Sequence, residues 1–289
     1  MRAMTSARSE TDIKAAFLAA CHAELSALKP GNVHIHSAGH GMEVETFERA
    51  AKAAAPFIAD ATLKAGERIL KATEASFGAT GLNANLGIVL LCAPLAKAGG
   101  EITFDMGLRR RLALILSALD AADADAAFAA IRLANPAGLG TAEKGDVSGN
   151  PDRLTLTQAM YLAKDRDRIA NAYVTAFADI FDVGLPAYTA ALEICERSDL
   201  AVTTLHMTLL ATFPDSHISR KWGHAAAIEV QEQARALSPL WQPGFSSKSF
   251  RELAEFDSQL KERKLNPGTT ADFVVATIFT HALMRPKAR

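Results

Sequence analysis

The chain has 289 residues, 49% hydrophobic and 22% charged, with a net charge of −1 and an isoelectric point near 6.7. That is enough apolar material for a large core, and so balanced a charge excludes a nucleic-acid backbone or an anionic membrane as the main partner. No apolar run reaches the roughly 18 residues that span a bilayer, and no basic segment leads into an apolar one at the N-terminus, so a soluble, cytoplasmic protein is expected.

Alanine, leucine, lysine and glutamate fill most segments and alternating β-branched runs are nearly absent, which predicts an all-α fold, a single large domain of about twelve helices. Ser9 caps a first helix through about Leu28, with Ile13, Phe17, Leu18, Cys21 and Leu25 on one face, and Pro30-Gly31 ends it. A longer stretch covers about 44–75, kinked or split at Pro56 or Gly66. Further helices are expected at about 84–97, 106–119, 122–134, 154–163, 166–182, 186–197, 199–211, 217–237, 247–263 and 270–284. Residues 135–151 are too rich in turn formers for a simple connection and read as a functional loop in preference to a domain linker. Cys21, Cys92 and Cys195 lie far apart without metal spacing and read as buried free thiols.

Five polar turns interrupt this helical frame, and binding chemistry belongs on such turns. In the first, Glu24 and Lys29 point a carboxylate and an ammonium into Pro30-Gly31-Asn32, where Lys29 is a phosphate candidate and Gly31 and Asn32 let backbone amides approach. His34, His36 and His40 come next, at a spacing that matches neither a helical zinc pair nor a zinc loop. The second turn, Thr80 to Gly87, sets Asn83, Asn85 and Gly87 ahead of an apolar helix, as caps or as an anion site. The third holds Glu143, Lys144 and Asp146 in a glycine-rich loop that matches no Walker motif. In the fourth, Asp215 or Ser216 caps a helix that carries Arg220 and Lys221 in its first two turns, where cations oppose the helix dipole and a phosphate would compensate them. The fifth is Asn266-Pro267-Gly268-Thr269, with Thr269 or Thr270 as N-cap and Asp272 in the first turn.

These motifs, in this order, resemble those of the triphosphoribosyl-dephospho-CoA synthase family, over about residues 20–285. Glu24 with Lys29-Pro30-Gly31 is similar to the family's opening motif, and Gly39-His40 with Met42 to its next glycine-histidine and methionine. Asn83 to Gly87 is similar to its central motif, and Gly138-Leu139-Gly140 with Asp146-Val147 to its glycine loop. Asp215-Ser216 with Arg220 and Asn266-Pro267-Gly268 with Ala271-Asp272 resemble its two late motifs. Ala84 and Leu86 stand where better-known members carry histidine and lysine, and Gly41 where they carry aspartate, so the chain also resembles members found in tetrahydromethanopterin-type one-carbon metabolism.

The resemblance implies a transferase that uses ATP and 3′-dephospho-CoA, with Mg2+ as cofactor. It assigns Glu24, Asp146 and Asp215 to catalysis or metal binding. Lys29, Gly31, Asn32, His34, His40, Asn83, Asn85, Gly87, Arg220, Lys221, Asn266, Gly268 and Thr269 would bind substrate or phosphate. An enzyme acting on phosphorylated substrates in methanofuran-type cofactor synthesis and a non-catalytic nucleotide-binding protein are the alternative readings, and a homodimer stays open. The two Pro-Gly turns also carry a geometric expectation: Lys29 and Asn266 should lie within about 15 Å of each other, about one and a half helix diameters.

Overall fold

A computed structural model describes residues 7–37, 43–101, 106–136 and 153–285. Among them are fifteen α-helices and no strand, so the fold is all-α; an isolated antiparallel bridge pairs His34 with Ser37. The chain divides into two compact units, one of Met1–Ala19, Arg49–Ala178 and Phe279–Arg289, the other of Ala20–Glu48 and Asp179–Ile278. None of the divisions falls within residues 135–151, of which 137–151 lie outside the described residues.

The first unit holds α1 (Glu10–Ser26) as far as Ala19, the rest of that helix belonging to the second; α1 begins at Ser9, whose hydroxyl accepts from the Asp12 amide at 3.1 Å. Next come α2 (Val44–Ala59) and α3 (Ala65–Thr80). Their separation is made by Asp60, whose carboxylate takes the Thr62 amide and hydroxyl at 2.9 and 2.6 Å, a turn that competes with helix. Pro56 sits inside α2 without ending it. Gly66 is a packing position: a Cβ there would stand 2.5 Å from Asp123 Cα on α6 (Ala121–Ala134), and its amide donates to Asp123 Oδ1 at 2.7 Å. At the centre runs α4 (Leu86–Gly100), buried at nearly every position, as expected of a helix apolar all round. It packs on α3, α6, α5 (Leu108–Ala118) and α8 (Arg168–Val174), and each fully buried leucine such as Leu91 contributes about 1.5–3 kcal/mol. Between α6 and α8 lies α7 (Leu156–Ala163), capped by Thr155.

The second unit starts with a π-helical segment, Asp179–Gly184, leading into α9 (Leu185–Ile194). The expected helix over 166–182 is broken here because Ala176 and Phe177 adopt positive φ. Its central helix is α10 (Ser198–Thr212), followed by α11 (Ser216–Trp222), α12 (His224–Ala236), α13 (Ser238–Trp241), α14 (Phe250–Glu262) and α15 (Gly268–Met284), the last of which passes into the first unit at Phe279. Gly223, at φ 89°, splits the stretch expected as one helix over 217–237. The core joins Leu28, Met207, Leu210, Ile218, Val230, Trp241, Leu253 and Leu260. All three cysteines are free, Cys21 and Cys92 buried, whereas Cys195 is only partly so because it caps the end of α9.

Candidate active site

Within the second unit the two Pro-Gly turns meet. Gly31 has φ 81°, a conformation that suits glycine, and a Cβ on it would lie 2.8 Å from Pro267 Cδ, 2.9 Å from Leu260 Cδ1 and 2.9 Å from the Leu265 carbonyl. Asn32 Nδ2 donates to Asn266 Oδ1 at 2.8 Å, and Asn32 Oδ1 accepts from Lys29 Nζ at 3.1 Å. Lys29 and Asn266 are thus two hydrogen bonds apart, in keeping with the expectation from sequence.

Lys29 is completely buried. Its Nζ donates to Glu24, Asn32 Oδ1 and the Val33 carbonyl, three acceptors for the three protons of an ammonium. The ammonium therefore holds the turn together and in this arrangement has no proton left over for a phosphate. Burial pushes the Glu24 carboxyl up and Lys29 down from their ordinary values, and their mutual attraction works against both shifts.

The other side of the turn rests on α14, through two residues that the sequence motifs do not mark. Asp257 accepts the Gly31 amide at 2.8 Å and pairs with His34 Nε2 at 3.3 Å and Lys261 Nζ at 2.9 Å; Lys261 also donates to the Ser37 carbonyl at 3.1 Å. Burial works to raise the Asp257 carboxyl, but the bonds from His34 and Lys261 outweigh it and leave it below the usual range. His34 is depressed by burial, so the ring is neutral, and its contact with Asp257 assigns the proton to Nε2. A signal for Asp257 existed: it shares a helix face with Leu253, Phe256 and Leu260, all buried, and an aspartate on an apolar stripe wants a partner. His206, in the middle of α10, is also absent from those motifs. It is fully buried, and its pKa falls to about 3 through burial and the nearby Lys29 charge.

Asp215 caps α11 through the Ile218 amide at 3.0 Å and takes the Thr270 amide and hydroxyl, each at 2.8 Å, at the start of α15. Contrary to expectation, neither Thr269 nor Thr270 supplies that cap, because α15 begins at Gly268 and a distant carboxylate serves its first turn. Arg220 and Lys221 also differ from expectation. The helix that carries them has seven residues, so they lie in its last turn, where cations suit the dipole, and no misplaced charge asks for a phosphate. Glu24 and Asp215 do not fit Mg2+ as they stand, one holding an ammonium and the other three donors, and the described residues contain no cluster of three metal-ligating side chains.

Glu24, Lys29, Gly31, Asn32, His34, Asp215, Arg220, Lys221, Asn266, Gly268 and Thr269 all belong to the second unit. Asn83, Asn85 and Gly87 are in the first, where Asn83 Oδ1 receives the Leu86 amide at 3.3 Å and Asn85 is the buried residue preceding α4. His40 and Asp146 lie outside the described residues.

Fold and turns define an all-α protein organised around a buried lysine–carboxylate pair and two facing Pro-Gly turns. The chain belongs to the ATP:dephospho-CoA triphosphoribosyl transferase (CitG) family, whose model matches residues 10–289. It is 28% identical over 136 residues to the 2-(5″-triphosphoribosyl)-3′-dephosphocoenzyme-A synthase of Klebsiella pneumoniae, a match covering 47% of this chain and 44% of that protein. A Vibrio cholerae protein described as the probable enzyme of the same name is 32% identical over 112 residues, 38% of this chain and 35% of that one. The chain thus spans less than half the length of these curated relatives. A crystal structure from Archaeoglobus fulgidus, described as a triphosphoribosyl-dephospho-CoA synthase, shares the fold, with a TM-score of 0.62 and 24% identity over 81% of this chain and 97% of that one. No helix among the described residues is long and apolar enough to cross a membrane.

Proposed function

We propose that the chain catalyses transfer of the triphosphoribosyl group of ATP to 3′-dephospho-CoA, with release of adenine. The observation that carries this reading is the family match over nearly the whole chain. In the reaction the acceptor 2′-oxygen bonds to C1′ of the ATP ribose as the C1′–N bond to adenine breaks; the hydroxyl proton passes to a base and adenine leaves with a proton on its ring. Positive charge develops at C1′ on the way, so a fixed carboxylate beside it stabilises the transition state.

Glu24 suits that role. Its Oε1 is tied to Lys29, which orients the carboxyl and favours its ionised form against the effect of burial, while Oε2 takes no part in that contact. Asn266 similarly uses Oδ1 toward Asn32, which leaves its amide protons for a ribose hydroxyl. For Lys221 and Arg220 a phosphate role rests on the family resemblance alone, and Asn83, Asn85 and Gly87 carry a second phosphate assignment at the start of α4. Asp215 and Lys29 are assigned to holding the turns, with no contact to the reacting atoms. Mg2+ would arrive with the triphosphate and screen its charge. Incubation with ATP and dephospho-CoA should release adenine and triphosphoribosyl-dephospho-CoA in equal amounts, by chromatography. Glu24→Gln should lower the rate at least about 100-fold, and absence of adenine would overturn the reading.

A further inference from the structure

Trp222 is the last residue of α11 and is 49% exposed, whereas the chain's other tryptophan, Trp241, is 2% exposed. Its indole is nonetheless fixed: Nε1 donates to the Lys264 carbonyl at 3.2 Å. Lys264 itself has φ 57°, a left-handed conformation unusual for a lysine, and Gly223 at φ 89° turns the chain away directly after the indole. Two departures from ordinary backbone geometry thus accompany a tethered aromatic ring that stays half in water.

The surroundings narrow what such a ring would meet. Lys221 and His224 are exposed beside it in the sequence and Lys264, whose carbonyl holds the indole, is exposed too, while Arg263 is taken up by Glu229 at 2.8 Å. No other large apolar residue of α11, α12 or residues 262–268 is exposed. A lone indole without an apolar surround is too small for a protein interface, which needs a contiguous patch. A half-exposed flat ring whose sequence neighbour Lys221 and tethering residue Lys264 are both exposed lysines matches a nucleobase carrying phosphates, since base stacking on an aromatic needs one open face and ammonium groups answer phosphate charge.

We propose that Trp222 is a stacking platform for the adenine ring of a nucleotide substrate, with Lys221 and Lys264 against its phosphates. This deepens the transferase reading and rests on it for the choice of adenine, because the family's two substrates, ATP and dephospho-CoA, both carry that base.

The test uses the full chain and its indole emission. Separate titrations with ATP, dephospho-CoA and inorganic tripolyphosphate should show saturable quenching by at least one nucleotide, which identifies the base stacked, and none by tripolyphosphate. Trp222→Ala, at an exposed position, should keep the wild-type circular dichroism and weaken that nucleotide about 10- to 100-fold by calorimetry; Trp222→Phe should restore most of the affinity. Equal affinity of wild type and Trp222→Ala, or nucleotide binding without quenching, overturns the proposal, as does the absence of nucleotide binding. Adenine release that Trp222→Ala leaves unchanged in KM defeats the platform and spares the transferase reading. Trp222-dependent binding without adenine release does the reverse.

Discussion

Lys29 shows how burial changes what a lysine does. An exposed lysine at a turn offers its charge to a ligand, but this one has three protein acceptors and no solvent contact. Lys29→Met should therefore destabilise the protein by about 3–5 kcal/mol, because it leaves Glu24 buried without its counter-charge. Urea denaturation of that variant and of Lys29→Met with Glu24→Gln should show the double variant to be the more stable of the two; the reverse order would mean that the pair is not coupled. His206 permits a second experiment. Its ring is neutral when folded and protonates below about pH 6.5 when unfolded, so the unfolded state binds more protons as the pH falls, and stability declines from there towards the folded value of about 3. At pH 5 the loss is about 2 kcal/mol. His34 and Asp257, both depressed, act in the same direction; Glu24 and Asp215, both raised, act in the opposite one. The contribution of His206 is isolated by comparing melting temperatures at pH 7.5 and 5 for wild type and His206→Met, and the variant should lose the smaller amount.

At the scale of elements, two glycines of α3 have opposite meanings. Gly66→Ala would drive a methyl group against the backbone of α6 and should lower stability by about 1–3 kcal/mol. Gly78→Ala meets nothing within 4 Å and should raise it by up to about 1 kcal/mol. Urea midpoints of the two variants should move in opposite directions. From sequence Gly66 reads as a possible kink and Gly78 falls just past the expected helix, and only the crossing of α3 with α6 shows what each does. The same limit explains the count of helices. Apolar spacing locates every major helical stretch, because each has a core face, but the break at Asp60 is expected at Pro56 or Gly66, and those at Ala176 and Gly223 are passed over. A carboxylate folded onto its own turn, or two residues at positive φ, leaves the apolar pattern on either side intact. In the candidate site, the turns are legible through proline, glycine and asparagine, and Asp257 only as an aspartate on an apolar helix face; Lys261 is not, since a lysine one turn after an aspartate reads as the surface half of an i, i+4 pair until its neighbours are known to be buried.

For the molecule as a whole, the free thiols offer a separate view of each compact unit. Cys92 lies in α4 of the first unit and Cys21 in the second, both buried, and burial raises the Cys21 thiol far above its ordinary value. A thiol reagent in native buffer should modify Cys195 alone on a timescale of minutes, and all three in strong denaturant. Fast labelling of Cys21 or Cys92 under native conditions would mean that its unit opens far more readily than its packing implies.

Gly31 also constrains how this protein can vary over evolutionary time. Loss of the Pro267 ring together with shortening of Leu260 would relieve two of the three nearest clashes that a side chain at position 31 would meet. The third is with the carbonyl of Leu265, a main-chain atom that every amino acid carries, and the positive φ remains whatever surrounds it. No paired exchange elsewhere in the chain can therefore license a side chain at position 31. Among homologues that keep this turn, residues 260 and 267 are expected to vary while position 31 stays glycine.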